Sequence, residues 1–137
     1  MSVLADTQKS LGAASYVSLA TFRKSRVKVA TPVWCAPYGD WLYIFSESRA
    51  GKVKRLRNSA QAELAQCDMR GKLQGPWHDA EAQLFDSPAE IAIALQALRE
   101  KYGWQMWLVD TGSRLTGRLN ARAYIKVRLI QSAGATD

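Results

Sequence analysis

Five basic side chains and no acidic one lie within residues 48–58. Val53 and Leu56 are three residues apart, so a short helix here would pack both inward and leave its cations outside. Lys52 and Arg55 have the same spacing and would share another face of that helix. An arginine can grip two phosphate oxygens at once, whereas a lysine supplies a point charge. This segment therefore predicts a binding site for a phosphate or another anion.

Two other interpretations of the basic segment stay open. It follows a predicted strand, and Ser48 stands where the N-cap of the helix would be, so free backbone N–H groups would favour an anion. A solvated basic helix without a ligand is one alternative. Nucleic-acid binding is the other, because the formal net charge is +7. No aromatic residues are interleaved with the basic run and no recognition-helix or RNA-binding signature occurs, so we expect no nucleic-acid partner.

Few other residues could do chemistry. The single histidine, His78, lies where a loop enters a predicted strand, which favours an exposed or rim position. No phosphate-binding loop, nucleophile elbow or dinucleotide fingerprint occurs. Cys35 and Cys67 lie in strand-like segments and are expected to be reduced, packed thiols rather than metal ligands. We expect no metal and no catalytic side chain, so a reaction here would depend on a cofactor.

Length and composition indicate one folded domain spanning residues 1–137, with 47% hydrophobic and 23% charged residues. Residues 1–10 and 131–137 are expected to be loosely held. No apolar run approaches the ~18 residues of a membrane-spanning helix, and no secretory signal is visible. We therefore expect a cytoplasmic protein with no membrane partner.

Alternating and β-branched patterns predict six strands, at residues 16–22, 27–36, 41–46, 60–67, 77–85 and 122–129. Pro32 cannot donate to a β-ladder, which argues for an edge or a bulge in the second strand. The third strand is large on both faces, so one face lines a core and the other is covered by a helix or a partner chain.

Two helices are predicted after the fifth strand. Ser87, Pro88 and Glu90 form a capping box with a proline at the first helical position, and Gly103 ends this helix. A second helix covers residues 104–115, whose tryptophans are expected to anchor it to the barrel or to cover a bound ring. The order of elements predicts a mainly β, antiparallel barrel with flanking helices.

Several stretches together resemble one known family. They are Val29-Ala30-Thr31-Pro32-Val33-Trp34, a Gly-Asp turn, the basic segment 48–58, Cys67-Asp68-Met69-Arg70-Gly71 and Lys101-Tyr102-Gly103-Trp104-Gln105. In this order, over residues 16–129, they resemble the pyridoxamine 5′-phosphate oxidase-like superfamily, whose split barrels bind FMN or a deazaflavin. The Thr-Pro-Val-Trp and Gly-Lys-Val-Lys-Arg stretches are most similar to the branch of oxidoreductases that use coenzyme F420.

The resemblance implies a six-stranded antiparallel split β-barrel with flanking helices, of the FMN-binding type. It also implies a homodimer with cofactor sites at the subunit interface, in which the third strand uses one face for the barrel and the other for the dimer. The implied activity is hydride transfer between bound F420 or FMN and a small organic substrate. The alternative is a non-catalytic carrier of flavin, F420 or a tetrapyrrole. We find no match to the C-terminal substrate-phosphate residues of true pyridoxamine phosphate oxidases, so we do not expect that reaction.

The resemblance also assigns site residues. The cofactor ring would lie along Thr31, Pro32, Val33 and Trp34. The phosphate would be held by Ser46, Ser48, Arg49, Lys52 and Arg55. One departure from the family pattern is the turn at residues 23–26, which lacks the glycine expected between its two strands.

Overall fold

A computed structural model describes residues 3–116 and 122–131 and forms seven strands and four helices. In chain order these are α1 (Val3–Ala13), β1 (Tyr16–Phe22), β2 (Lys28–Val33), β3 (Ala36–Tyr38), β4 (Trp41–Glu47), α2 (Gly51–Asn58), β5 (Gln61–Cys67), β6 (His78–Phe85), α3 (Pro88–Tyr102), α4 (Trp104–Thr116) and β7 (Arg122–Leu129). The expected count of six strands is wrong by one, because the second predicted strand is interrupted at Trp34 and Cys35.

The seven strands form one antiparallel sheet in the order β2-β1-β5-β6-β7-β4-β3. Its two edge strands, β2 and β3, are consecutive in the chain and are joined only by Trp34 and Cys35. A sheet whose opposite edges are joined by two residues has to curl, which gives the open barrel. Pro32 lies on edge strand β2, as its missing N–H predicts.

The end of α3 fixes the backbone at this crossover. The Tyr102 hydroxyl accepts a hydrogen bond from the N–H of Cys35 (3.1 Å) and donates one to the carbonyl of Ser15 (2.9 Å). The Lys101 ammonium donates to the carbonyls of Ala14 (2.6 Å) and Cys35 (2.5 Å). The Trp34 ring stacks on Tyr102, with centroids 4.4 Å apart. Buried backbone groups that no strand pairs are thus satisfied by two side chains.

Strand β4 is buried on both faces. Leu42 and Ile44 point into the barrel core, as expected of its first face. On the second face, Tyr43 packs against Ala94 of α3 and meets the ring of Phe85 edge-on at 5.7 Å. The covering element is therefore a helix of the same chain, and the expectation that this face serves the dimer is wrong.

The helix at the N-terminus was not expected. Residues 3–10, thought to be loosely held, form most of α1, and Leu11 is buried in the barrel core. Its short stretches of apolar residues are broken by polar ones, which weakens the helical pattern. Residues 132–137, the greater part of the other loosely held segment, lie outside the described residues.

Helix α4 is held by Met106, which is fully buried in a cluster with Leu98 and Tyr102, and by Asp110, rather than by its tryptophans. Trp104 and Trp107 are 71% and 64% exposed, so the expectation that they anchor the helix is wrong. Asp110 is buried and accepts from Arg122 at 2.8 Å, and the Arg122 guanidinium lies 4.5 Å from the centre of the Phe45 ring. No helix among residues 3–116 is long and apolar enough to cross a membrane.

The two cysteines are free and buried, as expected. Burial raises the pKa of the Cys35 thiol to about 11, so this thiol stays protonated and unreactive near neutral pH. Among the described residues no group of His, Cys, Asp and Glu could hold a metal ion.

Removing the Tyr102 hydroxyl tests the role of the crossover. Tyr102→Phe leaves the Cys35 N–H and the Ser15 carbonyl without their partner, so the free energy of unfolding should fall by about 1–3 kcal/mol in urea denaturation. Tyr38→Phe is the control, because Tyr38 is 57% exposed, and it should change that energy by less than about 0.5 kcal/mol. Equal effects of the two substitutions would contradict this account.

Candidate functional site

The basic segment forms helix α2 with its two apolar residues inward, as predicted: Val53 and Leu56 are buried. The predicted cap is wrong. Ala50 is the N-cap and makes no side-chain capping bond, because the chain first turns at residues 48–50, where the Ala50 N–H donates to the Glu47 carbonyl (3.0 Å). Ser48 therefore lies in that turn, free of a capping role.

Arg55 is fixed in an unusual position on α2. Its Nε donates a 2.6 Å hydrogen bond to Oγ1 of Thr21, a fully buried residue of β1. A Cβ placed at Gly51 would lie 2.7 Å from Nη1 of Arg55. The Arg55 guanidinium thus folds back along α2 towards Gly51. It occupies space that a glycine at position 51 leaves free and a larger residue would fill.

Lys52 lies close to the same guanidinium. Burial, and then the positive charge of Arg55, lower the pKa of the Lys52 ammonium, and Glu47 opposes them. Burial, followed by the charge of Arg23, also lowers the pKa of Arg55. The sequence prediction that Lys52 and Arg55 share a face is confirmed. Two neighbouring, partly desolvated cations would gain free energy from a bound anion.

The other predicted phosphate ligands surround the start of α2. Ser46 lies near the end of β4 opposite Ala123, one residue before the last pair, and Ser48 and Arg49 follow in the turn. No ion pair within 4 Å involves Arg49 among the residues described. We call this group the cationic corner; its members are Ser46, Ser48, Arg49, Lys52 and Arg55.

The predicted ring residues do not form one continuous surface. Val33 is buried in the barrel core and Trp34 stacks on Tyr102, so neither offers a free face in this chain. Pro32 is exposed, and β2 pairs only with β1 in the described sheet, so its outer edge is open. In residues 31–34, a planar ligand could therefore contact an exposed proline and an unpaired strand edge.

Thr31 carries the feature that sequence reasoning could not supply. Its Oγ1 is buried and, among the residues described, it is the one buried side-chain polar atom without a hydrogen-bond partner. Thr31 pairs with Leu19, and Thr21 follows two residues later on the same face, diagonally ~7–8 Å away. The Thr31 hydroxyl thus neighbours the Thr21 hydroxyl to which Arg55 donates. The β1–β2 hairpin therefore links residues 31–34, which we call the ring segment, to the cationic corner.

Two cavities include members of the corner. One, of about 380 Å³, is lined by Ser48, Phe85, Arg122 and Tyr124, among others. Another, of about 500 Å³, contains Arg55. Neither cavity is lined by any of residues 31–34. Within one chain, these cavities leave the ring segment and the cationic corner as neighbouring but separate surfaces.

Thr21 and Gly51 are the site residues that the sequence reasoning missed. Thr21 carried a usable signal, because it lies on the same strand face as the core residue Leu19. A polar residue on a core face needs a partner. Gly51 gave no comparable signal, since its role depends on where the Arg55 side chain folds back.

Comparisons with known proteins identify the fold. No protein-family model and no curated protein matches this sequence. Among solved structures, the chain is similar to HutZ, the heme storage protein of Vibrio cholerae, with 11% identity, a TM-score of 0.67 and 96% of this chain and 93% of that one covered. It is also similar to a FAD-binding protein of Mesorhizobium loti, with 16% identity, a TM-score of 0.60 and 96% and 90% covered.

A third similar structure is a Listeria innocua protein named provisionally as a pyridoxamine 5′-phosphate oxidase, with 12% identity, a TM-score of 0.55 and 96% and 100% covered. Together with the curled antiparallel sheet, these similarities show that the chain has the split-barrel fold of these proteins. The expected fold is confirmed, with seven strands in place of six.

Two threonine substitutions on one strand face should have opposite effects on stability. Thr31→Val removes a buried hydroxyl without a partner, so the cofactor-free protein should gain about 1 kcal/mol of unfolding free energy. Thr21→Val removes the acceptor of the Arg55 bond and should cost about 1–3 kcal/mol. Urea denaturation of both variants measures these changes. A loss in Thr31→Val as large as that in Thr21→Val would show that the Thr31 hydroxyl has a partner in solution.

Proposed function

From the split-barrel fold that the chain shares with flavin-binding and haem-binding proteins, we propose that it binds FMN or coenzyme F420 and acts as an oxidoreductase on a small organic substrate. The observation that carries the proposal is the cationic corner, which the β1–β2 hairpin connects to the open outer edge of β2. A planar heterocycle with an acidic tail has the complementary chemistry: hydrogen-bonding edges at one end and negative charge at the other.

The phosphate of such a cofactor would be bound by the cationic corner. Arg49 and Lys52 supply the positive charge, and the hydroxyls of Ser46 and Ser48 supply donors. Arg55, held by Thr21, keeps its guanidinium in place without loss of side-chain entropy on binding. The preorganised cations select for a ligand with at least one doubly charged group.

The ring of the cofactor would lie against the open edge of β2. Backbone groups of residues 31–33 can pair with the polar edge of a heterocycle as they would with another strand. Pro32 adds an exposed apolar surface at this edge. Trp34 would contribute indirectly, because its stack on Tyr102 fixes the end of β2.

The bound flavin or deazaflavin supplies the two-electron chemistry, by hydride transfer to or from the substrate. The chain itself contributes binding, orientation and exclusion of water. The sequence offers no strong side-chain base near the corner: its only histidine, His78, begins β6, and the nearby titratable side chains are mostly cations.

The proposed partner is a second copy of this chain, which would complete the cofactor site. One face of α4 exposes Trp104 (71%), Trp107 (64%), Leu108 (51%) and Leu115 (84%) to solvent. Contiguous exposed apolar side chains of this size favour an interaction surface. A second chain packed there would cover them.

A carrier without turnover is the second candidate function, and the structural similarity to the heme storage protein favours it. A tetrapyrrole is a larger planar ring with acidic side chains and would use the same cations. His78 would be the imidazole able to bind the iron of such a ring; it lines a cavity of about 400 Å³ with Leu11, which contains none of the corner cations.

Cofactor titration tests the proposed site. The purified chain should quench the fluorescence of FMN or F420 on binding, and Arg49→Ala and Lys52→Ala should each weaken affinity by about 1–3 kcal/mol through loss of charge-assisted contacts. Lys54→Ala is the matched control, since it removes one charge from the exposed face of α2 and should have little effect. Equal affinities of all three variants for the cofactor would show that its phosphate binds elsewhere.

The same titration separates the candidate functions. Bound cofactor that is reoxidised by quinones, enones or nitro compounds supports the oxidoreductase, and bound cofactor that none of them reoxidises supports the carrier. A haem spectrum that His78→Ala abolishes, with no binding of either FMN or F420, would replace the flavin proposal by the tetrapyrrole carrier.

Polar substitution of the α4 tryptophans tests the dimer. The wild-type chain should sediment as a dimer at micromolar concentration, and the double variant Trp104→Ser, Trp107→Ser should sediment as a monomer with unchanged far-ultraviolet circular dichroism. Val27→Ser is the control, because Val27 is 52% exposed but lies at the β1–β2 turn. A monomeric wild-type chain would contradict the proposed partner.

A further inference from the structure

A cavity of about 500 Å³ lies between the β1–β2 turn and the C-terminal end of α2. We call it the turn pocket; its charged and amide-bearing lining residues are Arg23, Lys24, Arg26, Arg55, Asn58 and Gln61. Four cations and no carboxylate line it. Only Arg55 belongs also to the cationic corner, and the remaining cations come from a part of the chain to which no function has yet been given.

The cations of the turn pocket are not neutralised by the chain. Among the residues that the structure describes, no ion pair within 4 Å involves Arg23, Lys24 or Arg26. The carboxylate of Glu63 on β5 pairs instead with Lys28, at 3.0 Å. Like charges held together without counter-charges lower stability, and a bound anion would relieve that repulsion.

The backbone at Arg26 adds an independent observation. Arg23 and Val27 close a three-residue hairpin loop, with the Arg23 N–H donating to the Val27 carbonyl (3.0 Å) and the Arg26 N–H donating to the Arg23 carbonyl (2.7 Å). The last residue of such a loop is left-handed and is usually glycine. Here it is Arg26, with a φ of 71°, the one positive φ at a non-glycine residue in the described chain.

An arginine in the left-handed region costs roughly 1–2 kcal/mol relative to a relaxed backbone. Side chains kept in such positions often serve a binding site that depends on them. At Arg26 the strained residue is also one of the four cations of the pocket. The hairpin thus carries a guanidinium where its own stability would favour a glycine.

We propose that the turn pocket is a second anion site, which binds a small polyanion carrying at least two phosphate or carboxylate groups. Three guanidinium groups in one cavity suit planar, bidentate recognition of such groups. The cavity holds several times the ~30 Å³ that one water molecule occupies, so it has room for more than a single anionic group. This site lies at the opposite end of α2 from Ser48 and Arg49, and it does not depend on the proposed cofactor.

The arrangement favours a small polyanion over a nucleic acid. Nucleic-acid sites place their cations in a stripe that follows a backbone, with aromatic platforms for the bases. In the turn pocket the cations surround one cavity, and the single aromatic residue in its lining is Phe22, which is half-buried at the end of β1.

Calorimetric titration of the full chain with tripolyphosphate at low ionic strength tests the proposal. Tripolyphosphate should bind more tightly than orthophosphate, and Arg26→Gly should weaken its binding about tenfold or more, as expected for loss of a charge-assisted contact. The same substitution should raise the melting temperature, because glycine relieves the strained φ. A merely structural role of Arg26 would not give these opposite changes.

Two further variants complete the test. Arg26→Lys retains the charge and should keep most of the affinity for tripolyphosphate, and Lys54→Ala, on the exposed face of α2, should keep all of it. FMN titration of Arg26→Gly should give the wild-type affinity. If neither FMN nor F420 binds while tripolyphosphate binding depends on Arg26, the proposed cofactor is wrong and the second site stands.

Three outcomes would overturn the second site. In the first, Arg26→Gly and the wild type bind tripolyphosphate equally. In the second, only Arg49→Ala loses this binding, which would place the anion at the cationic corner. In the third, a short DNA duplex binds more tightly than tripolyphosphate and loses affinity in Arg26→Gly, which would assign the pocket to nucleic acid.

Discussion

The chain passes from one edge of its sheet to the other through only Trp34 and Cys35, and the closure of the barrel depends on holding those two residues. A crossover this short cannot pair its own backbone. Lys101 and Tyr102 supply the missing donors and acceptors, and both come from the last turn of α3. The position of the last turn of α3 therefore determines where the two edges of the sheet meet.

The same crossover determines what is available to a ligand. Because β2 is an edge strand, its outer backbone groups are left open, and because Trp34 stacks on Tyr102, the strand ends at a fixed point. The cationic corner is placed by other means: Val53 and Leu56 pack α2 onto the barrel, and Thr21 orients Arg55. The β1–β2 hairpin connects these two regions, since Thr21 and Thr31 share one of its faces.

Sequence reasoning succeeded where the pattern is local. The bounds of β1 and β7, the N-cap at Ser87 and the inward pair on α2 all depend on residues a few positions apart, and all are confirmed. Sequence reasoning failed where a tertiary contact determines the local structure. The break at Trp34 depends on Tyr102, which is distant in the sequence. The cap at Ala50 instead of Ser48 depends on how the end of β4 turns.

The distribution of charge is what favours α2 and the adjoining turn as the proposed anion-binding region. Along the outer face of the sheet the cations have partners: Lys126 pairs with Glu90 at 2.6 Å, and Lys28 pairs with Glu63 at 3.0 Å. Such pairs add little to stability, but they cancel the field at that surface. Among the described residues, Arg49 at the start of α2 and Arg23, Lys24 and Arg26 near its end make no ion pair within 4 Å, so part of the excess of +7 lies at the two ends of this helix. Val53 and Leu56 fix α2 on the barrel, and the uncompensated charges at both of its ends would draw in a diffusing anion.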